Sequence, residues 1–175
     1  MPLSPSTAES NDMSFILPLN VRSFFGFEGQ RAFARSRTAK RDTAGRFLMF
    51  DAYYCCMLLG LDQARLGEEE SLESTNFYPY PGYPEVYKGQ AELIAGLLVE
   101  AEIRRLEIRP DDREDIEQQM VRLLDLSSPS RLSSDGDQLL NRYAVSGFDR
   151  MRSAMTECDN LEDFLVGYHR IWEQT

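Results

Sequence analysis

Residues 44–64, AGRFLMFDAYYCCMLLGLDQA, decide the fold. Phe47, Phe50, Tyr54, Met57, Leu58 and Leu61 recur at three- and four-residue spacing, the period of an α-helix. The remaining face is also largely apolar, and a helix that is apolar around most of its circumference packs on several sides. This segment is therefore predicted to be the central helix. Its apolar run, residues 47–61, is interrupted by Asp51 and is too short to span a bilayer. Gly67 and the acidic residues 68–70 follow its end.

Four further helices are predicted on the C-terminal side. Residues 90–106 carry Leu93, Ile94, Leu97, Leu98, Ala101 and Leu106 on one broad face, and Pro110 breaks the pattern. Asp111 or Asp112 caps the next helix, which carries Ile116, Met120, Leu123 and Leu124. Residues 138–155 repeat through Leu139, Leu140, Tyr143, Ala144, Met151 and Met155. Asn160 caps the last helix, with Asp163 at the position that closes a capping box. Its apolar face is Leu161, Phe164, Leu165, Tyr168, Ile171 and Trp172.

The N-terminal side is less regular. Residues 22–37 show a weak helical pattern, and Gly26 and Gly29 lower its propensity. Residues 15–19, ended by Pro18, form an edge strand or an extended anchor. Residues 1–12 are rich in Ser and Pro and read as a disordered tail. Residues 71–87 are not helical and contain a Pro/Tyr-rich loop. The expectation is an all-α fold: a compact bundle of about five or six helices with a short N-terminal extended segment and a Pro/Tyr-rich loop. One domain, residues 13–175, follows the tail, and a chain of 175 residues buries a real core without staples.

Charge is divided unevenly along the chain. The net charge is −10, which argues against a generic nucleic-acid coat. Yet residues 13–50 hold Arg22, Arg31, Arg35, Arg37, Lys40, Arg41 and Arg46 against only Glu28 and Asp42. Such a chain presents one positive patch on a negative body. Arg31, Arg35, Arg37, Lys40, Arg41 and Arg46 are the candidate DNA-binding residues, placed to meet successive phosphates. The competing reading is charge balance against the acidic C-terminal part, within the chain or in a homo-oligomer.

No complete reaction motif is present. His169 stands alone, without the His pair that metal-dependent, tyrosine-based strand nicking requires. Cys55, Cys56 and Cys158 lack zinc-knuckle spacing and read as small buried residues. Their odd count and adjacent placement suit a reducing cytoplasm, and no signal-peptide pattern opens the sequence. Asp135-Gly136-Asp137 starts like a calcium loop but lacks the twelve-residue ligand pattern, and reads as a helix-capping turn. Glu68, Glu69, Glu70 and Glu73 read as a solvated acidic loop. The Phe and Tyr residues of 77–87 either stack on bases or a partner, or pack as a lid over the helices.

The order of segments resembles the small helical DndE/SspB-type accessory proteins of bacterial DNA phosphorothioate modification systems. A short apolar anchor and basic helix (residues 17–37) lead through a Thr-containing turn (38–43) to a helix carrying Arg46, Cys55 and Leu58-Leu59. An acidic, tyrosine-bearing loop follows, then the helix at 93–106. Leu140-Asn141-Arg142 and Asn160-Leu161-Glu162-Asp163 are the most specific part. The chain departs from that pattern in its length, its Pro/Tyr loop and its Arg in place of Lys. The resemblance implies an all-helical fold, self-association and binding to duplex or nicked DNA. It also implies work beside a cysteine desulfurase and ATP-using partners in modification or antiviral defence. On one branch of the family it implies nicking, which would call for Mg²⁺ or Mn²⁺. It assigns no catalytic or metal-binding residue here. A non-enzymatic helical adaptor in a multiprotein complex is the alternative.

Overall fold

The central helix, α2 (Met49–Gln63), begins later than its periodicity predicts. A computed structural model of the chain describes residues 15–27 and 47–174, so residues 44–46 of the predicted helix lie outside the described residues. Leu48 is extended, and the Asp51 carboxylate accepts its N–H, which fixes the start of the helix at Met49. The helix stops where Ala64 turns into the left-handed region, at φ 48°.

A second helix, α5 (Ser134–Ala154), lies directly against α2. Two glycines allow the approach. A Cβ at Gly60 would stand 1.8 Å from the carbonyl oxygen of Tyr143, and one at Gly147 would stand 1.7 Å from that of Cys56. Real side chains cannot occupy those positions, so the two backbones touch where both residues lack a side chain. Phe50, Tyr53, Cys56, Met57 and Leu59 of α2, with Leu140, Tyr143, Ala144, Phe148 and Met151 of α5, are buried around this crossing. Burying each large apolar side chain contributes about 1.5–3 kcal/mol.

Around this pair sit α1 (Val21–Phe24), α3 (Ala91–Arg105), α4 (Arg113–Leu123) and α6 (Leu161–Glu173). The helix expected over residues 22–37 is a single described turn. It ends at Phe25 because Gly26 adopts φ 68°, and residues 28–37 lie outside the described residues, as does the tail expected at 1–12. Asn160 caps α6 as predicted: its side-chain oxygen accepts the Asp163 N–H at 2.8 Å. Asn160→Ala should cost about 1 kcal/mol, read as a shift in urea midpoint at unchanged slope.

The all-α expectation needs correcting, because the fold is mostly helical but contains a small sheet. Strand β1 (Phe15–Pro18) pairs antiparallel with β2 (Leu72–Tyr78), matching Phe15 with Tyr78, Ile16 with Asn76 and Pro18 with Leu72. The sequence of β2, LESTNFY, lacks apolar alternation, and Ser74, Thr75 and Asn76 are exposed. Its strand state comes from a partner more than fifty residues away, a signal that no local pattern carries. β1 itself is buried and packs on α5, where the Ile16 N–H donates to Asn141 Oδ1 at 3.1 Å.

The Pro/Tyr loop packs onto the helices. Tyr83 is buried, its ring 5.3 Å from that of Phe15 and 6.1 Å from that of Phe50. Gly82, at φ 74°, brings the loop onto Pro129, where a Cβ would stand 2.8 Å away. Tyr87, on a 3-10 turn at Glu85–Gln90, donates its hydroxyl to Asp51, and Tyr54 donates to Gln90. Of the loop tyrosines, Tyr80 is the one left largely in solvent.

Candidate functional site

The predicted DNA-binding residues Arg31, Arg35, Arg37, Lys40, Arg41 and Arg46 lie outside the described residues, between Phe27 and Phe47. The rings of Phe27 and Phe47 stack at 6.5 Å with an interplanar angle of 9°. Phe25 stacks on Phe47 at 5.4 Å, and Phe164 of α6 meets Phe25 at 5.1 Å and Phe47 at 5.3 Å. Phe27 and Phe47, the described residues on either side of residues 28–46, thus belong to one aromatic cluster. Aromatic pairs of this kind contribute about 0.5–1.5 kcal/mol beyond their buried area. The cluster is built from four phenylalanines, and the sequence shows them only as apolar bulk.

Arg22, the remaining cation of the basic segment, is a structural residue. Its guanidinium grips Glu73 of β2 in a fork, Nε to Oε1 at 2.8 Å and Nη2 to Oε2 at 3.0 Å, and Nη1 reaches Met49 Sδ. It ties α1 to β2 and to the start of α2. Elsewhere on the body, arginines are also engaged. Arg150 pairs with Asp62 at 2.9 Å, and Arg104 donates to the Leu61 and Asp62 carbonyls at the end of α2. Arg142 donates to the Gly67 carbonyl.

The most polar interior cluster was not legible from motifs. Glu102 of α3 is fully buried and accepts from four donor atoms: Tyr143 Oη at 2.6 Å, Arg105 Nε at 2.7 Å, Arg105 Nη2 at 2.8 Å and Arg122 Nη2 at 2.8 Å. Burial works against its charge. The hydrogen bonds from Arg105, Tyr143 and Arg122 outweigh that and hold the carboxyl below its usual range. Every lone-pair direction faces a donor, so the cluster joins α3, α4 and α5 and leaves the carboxylate with no open side for a substrate. One signal was present in the sequence: Glu102 interrupts the inward stripe of Ile94, Leu98 and Ala101, and Arg105 stands three residues on.

Of the other residues singled out by sequence, Cys55 and Cys158 are only half-buried, against the expectation that all three cysteines are buried. Cys56 is fully buried, and burial, then the neighbouring Asp51 carboxylate, pushes the Cys55 thiol up to about 12. His169 is exposed on α6 and faces Glu173 at 3.4 Å. Asp135-Gly136-Asp137 forms the first turn of α5, where Ser133 Oγ accepts the Gly136 N–H at 3.2 Å. Among the described residues no three His, Cys, Asp or Glu side chains converge to hold a metal ion. No described helix is long and apolar enough to cross a membrane.

No family model, curated protein or solved structure matches this chain. The functional reading therefore stands on the residues themselves and on the order of their segments.

Proposed function

We propose that this chain is a DNA-binding accessory protein in which Arg31, Arg35, Arg37, Lys40, Arg41 and Arg46 contact phosphates. The observation that carries the reading is the separation of charge around the Phe27–Phe47 stack. Six cations and two anions lie in residues 28–46, and the two flanking rings meet at 6.5 Å. The rest of the sequence is acidic, so the positive charge is concentrated along the chain in that segment. Several arginines of the described body, Arg22, Arg105, Arg122 and Arg150, are held by Glu73, Glu102 and Asp62. Contacts of this kind release counterions, so binding falls steeply with salt. The wider assignment, to a DNA phosphorothioate modification or defence system with a cysteine desulfurase and ATP-using partners, rests on the segment-order resemblance alone.

Replacing Arg37 and Arg41 together by Glu tests the proposal. Each lost phosphate contact removes about 0.9 from the slope of log affinity against log salt on duplex DNA, so the double variant should flatten it by about 2. An unchanged slope on duplex and nicked DNA would remove the reading. Metal-dependent nicking is read separately, by conversion of supercoiled plasmid to open circle with Mg²⁺ or Mn²⁺ against a chelator control.

One observation favours the adaptor reading instead. Along α4 only Leu123 is buried, while Val121 is 81% exposed and Met120 and Leu126 also face solvent. An adaptor would show no DNA affinity at moderate salt and would co-purify in a defined complex.

A further inference from the structure

One cleft of about 260 Å³ lies where α5 passes the β1–β2 sheet and the end of α4. Asp135, Gln138, Leu139 and Arg142 stand at three- and four-residue spacing on α5, so they form one stripe along its wall. The sheet side is apolar, with Ile16 of β1 and Leu72 of β2 half-buried. Asn141 also lines the cleft and is buried. Its Oδ1 accepts the Ile16 N–H at 3.1 Å and the Tyr53 hydroxyl at 2.8 Å, which ties β1 and α2 to this part of α5.

Four charged side chains line this space, two of each sign. Arg142 is held from behind: its Nε donates to the Gly67 carbonyl at 3.0 Å, and the Gly67 N–H donates to the Arg142 carbonyl at 2.9 Å. Its two terminal NH₂ groups have no partner among the described residues. The Arg122 side chain gives only Nη2, to Glu102. Glu69, in the 3-10 turn before β2, and Asp135, in the first turn of α5, are exposed. Their carboxylates have no hydrogen bond or ion pair among the described residues, so no ion pair closes the cleft from within. A ligand with one charge would meet a repelling group beside every attracting one. A ligand carrying both signs meets a partner for each.

We propose that this cleft binds a small zwitterion, an α-amino acid with an aliphatic side chain. Arg142 donates its two terminal NH₂ groups to the ligand carboxylate in a fork. Anchoring Nε on Gly67 sets the plane of that fork before the ligand arrives. The carboxylates of Glu69 and Asp135 take the ammonium, and Ile16, Leu72 and Leu139 take the aliphatic side chain. The size agrees: pockets for drug-sized ligands hold about 300–1,000 Å³, and this one falls just below that range.

The test uses the full chain and leucine as the probe. Isocaproic acid, which is leucine without its ammonium, and isopentylamine, which is leucine without its carboxylate, are the single-charge analogues. In an amide NMR titration at neutral pH, leucine should shift the signals of Leu72, Leu139 and Arg142 saturably and leave those of α6 in place. Each analogue should bind about tenfold more weakly or worse, because each loses a charge-assisted contact. Glu69→Gln combined with Asp135→Asn removes both carboxylates and breaks no hydrogen bond or ion pair within the described residues. That variant should keep the wild-type amide spectrum outside the cleft and bind leucine no more tightly than isocaproic acid. The analogue series is read on the unaltered chain and decides even where a variant fails to fold. No saturable shift at the cleft, analogues that bind as tightly as leucine, or a folded double variant that keeps the preference for leucine would overturn the site.

Discussion

Gly147→Ala should destabilise the protein by about 3 kcal/mol or more, at or beyond the top of the range for overpacked cores. The added methyl would stand 1.7 Å from the Cys56 carbonyl oxygen and 2.7 Å from the Gly60 nitrogen. Both are backbone atoms inside a helix, so no rotamer change relieves the clash. The helices must separate, and separation loosens Tyr53, Cys56, Met57 and Leu140 together. A loss of that size is large against the ~5–15 kcal/mol that holds a typical domain folded. Gly96→Ala is the matched control. It also adds a methyl to a helix, but nothing lies within 4 Å of its Cβ position. There alanine should stabilise by up to about 1 kcal/mol through helix propensity. Urea unfolding of the two variants, compared at constant slope, checks both signs. A Gly147→Ala protein as stable as wild type would mean that the two helices do not cross there.

The second large effect is expected at Glu102. Glu102→Gln keeps the shape of the side chain but removes its charge and turns an amide NH₂ toward donors from Arg105, Arg122 and Tyr143. Breaking a buried ion pair costs about 3–5 kcal/mol when the orphaned charge stays buried. Here Arg105 and Arg122 are 29% and 39% exposed and can turn to water, so the expected cost is about 2–3 kcal/mol. The pH dependence carries its own signature. The folded carboxyl lies below its ordinary range, so its contribution is present above the unfolded value of about 4.3 and lost as pH falls through the lower folded value. The stability gap between wild type and Glu102→Gln should therefore shrink in acid. Asp137 has the opposite sign. Its carboxyl is raised to about 7, so its contribution is full below the ordinary aspartate range and is lost as pH rises through the folded value. Chemical denaturation across pH separates the two groups, because Glu102→Gln alters the acid limb and Asp137→Asn the limb near neutrality.

The two carboxylates also show why the interior could not be read from motifs. A glutamate on a helix is usually solvated, and only the arrival of Arg122 from α4 and Tyr143 from α5 makes Glu102 a junction. The Asp135-Gly136-Asp137 turn was recognisable as a helix start. Which of its two aspartates turns inward was set by how α5 packs, which leaves Asp135 exposed and Asp137 partly buried. Tyr83 and Tyr80, three residues apart in one loop, have opposite fates, buried and exposed, because Gly82 directs the chain onto Pro129.

The sequence by itself determined the helices at residues 49–63, 91–105, 113–123, 134–154 and 161–173 to within a few residues, the Asn160 cap of the last one and the gathering of positive charge into residues 31–46. These are local properties: periodicity, capping chemistry and charge are carried by neighbours in the chain. Only the tertiary structure decided that Phe15–Pro18 pairs with Leu72–Tyr78, that Gly60 and Gly147 let α2 and α5 touch, and that the rings of Phe27 and Phe47 stack. Each of those depends on residues far apart in sequence meeting in space. Their energy comes from contact and excluded volume, which no single stretch of sequence contains.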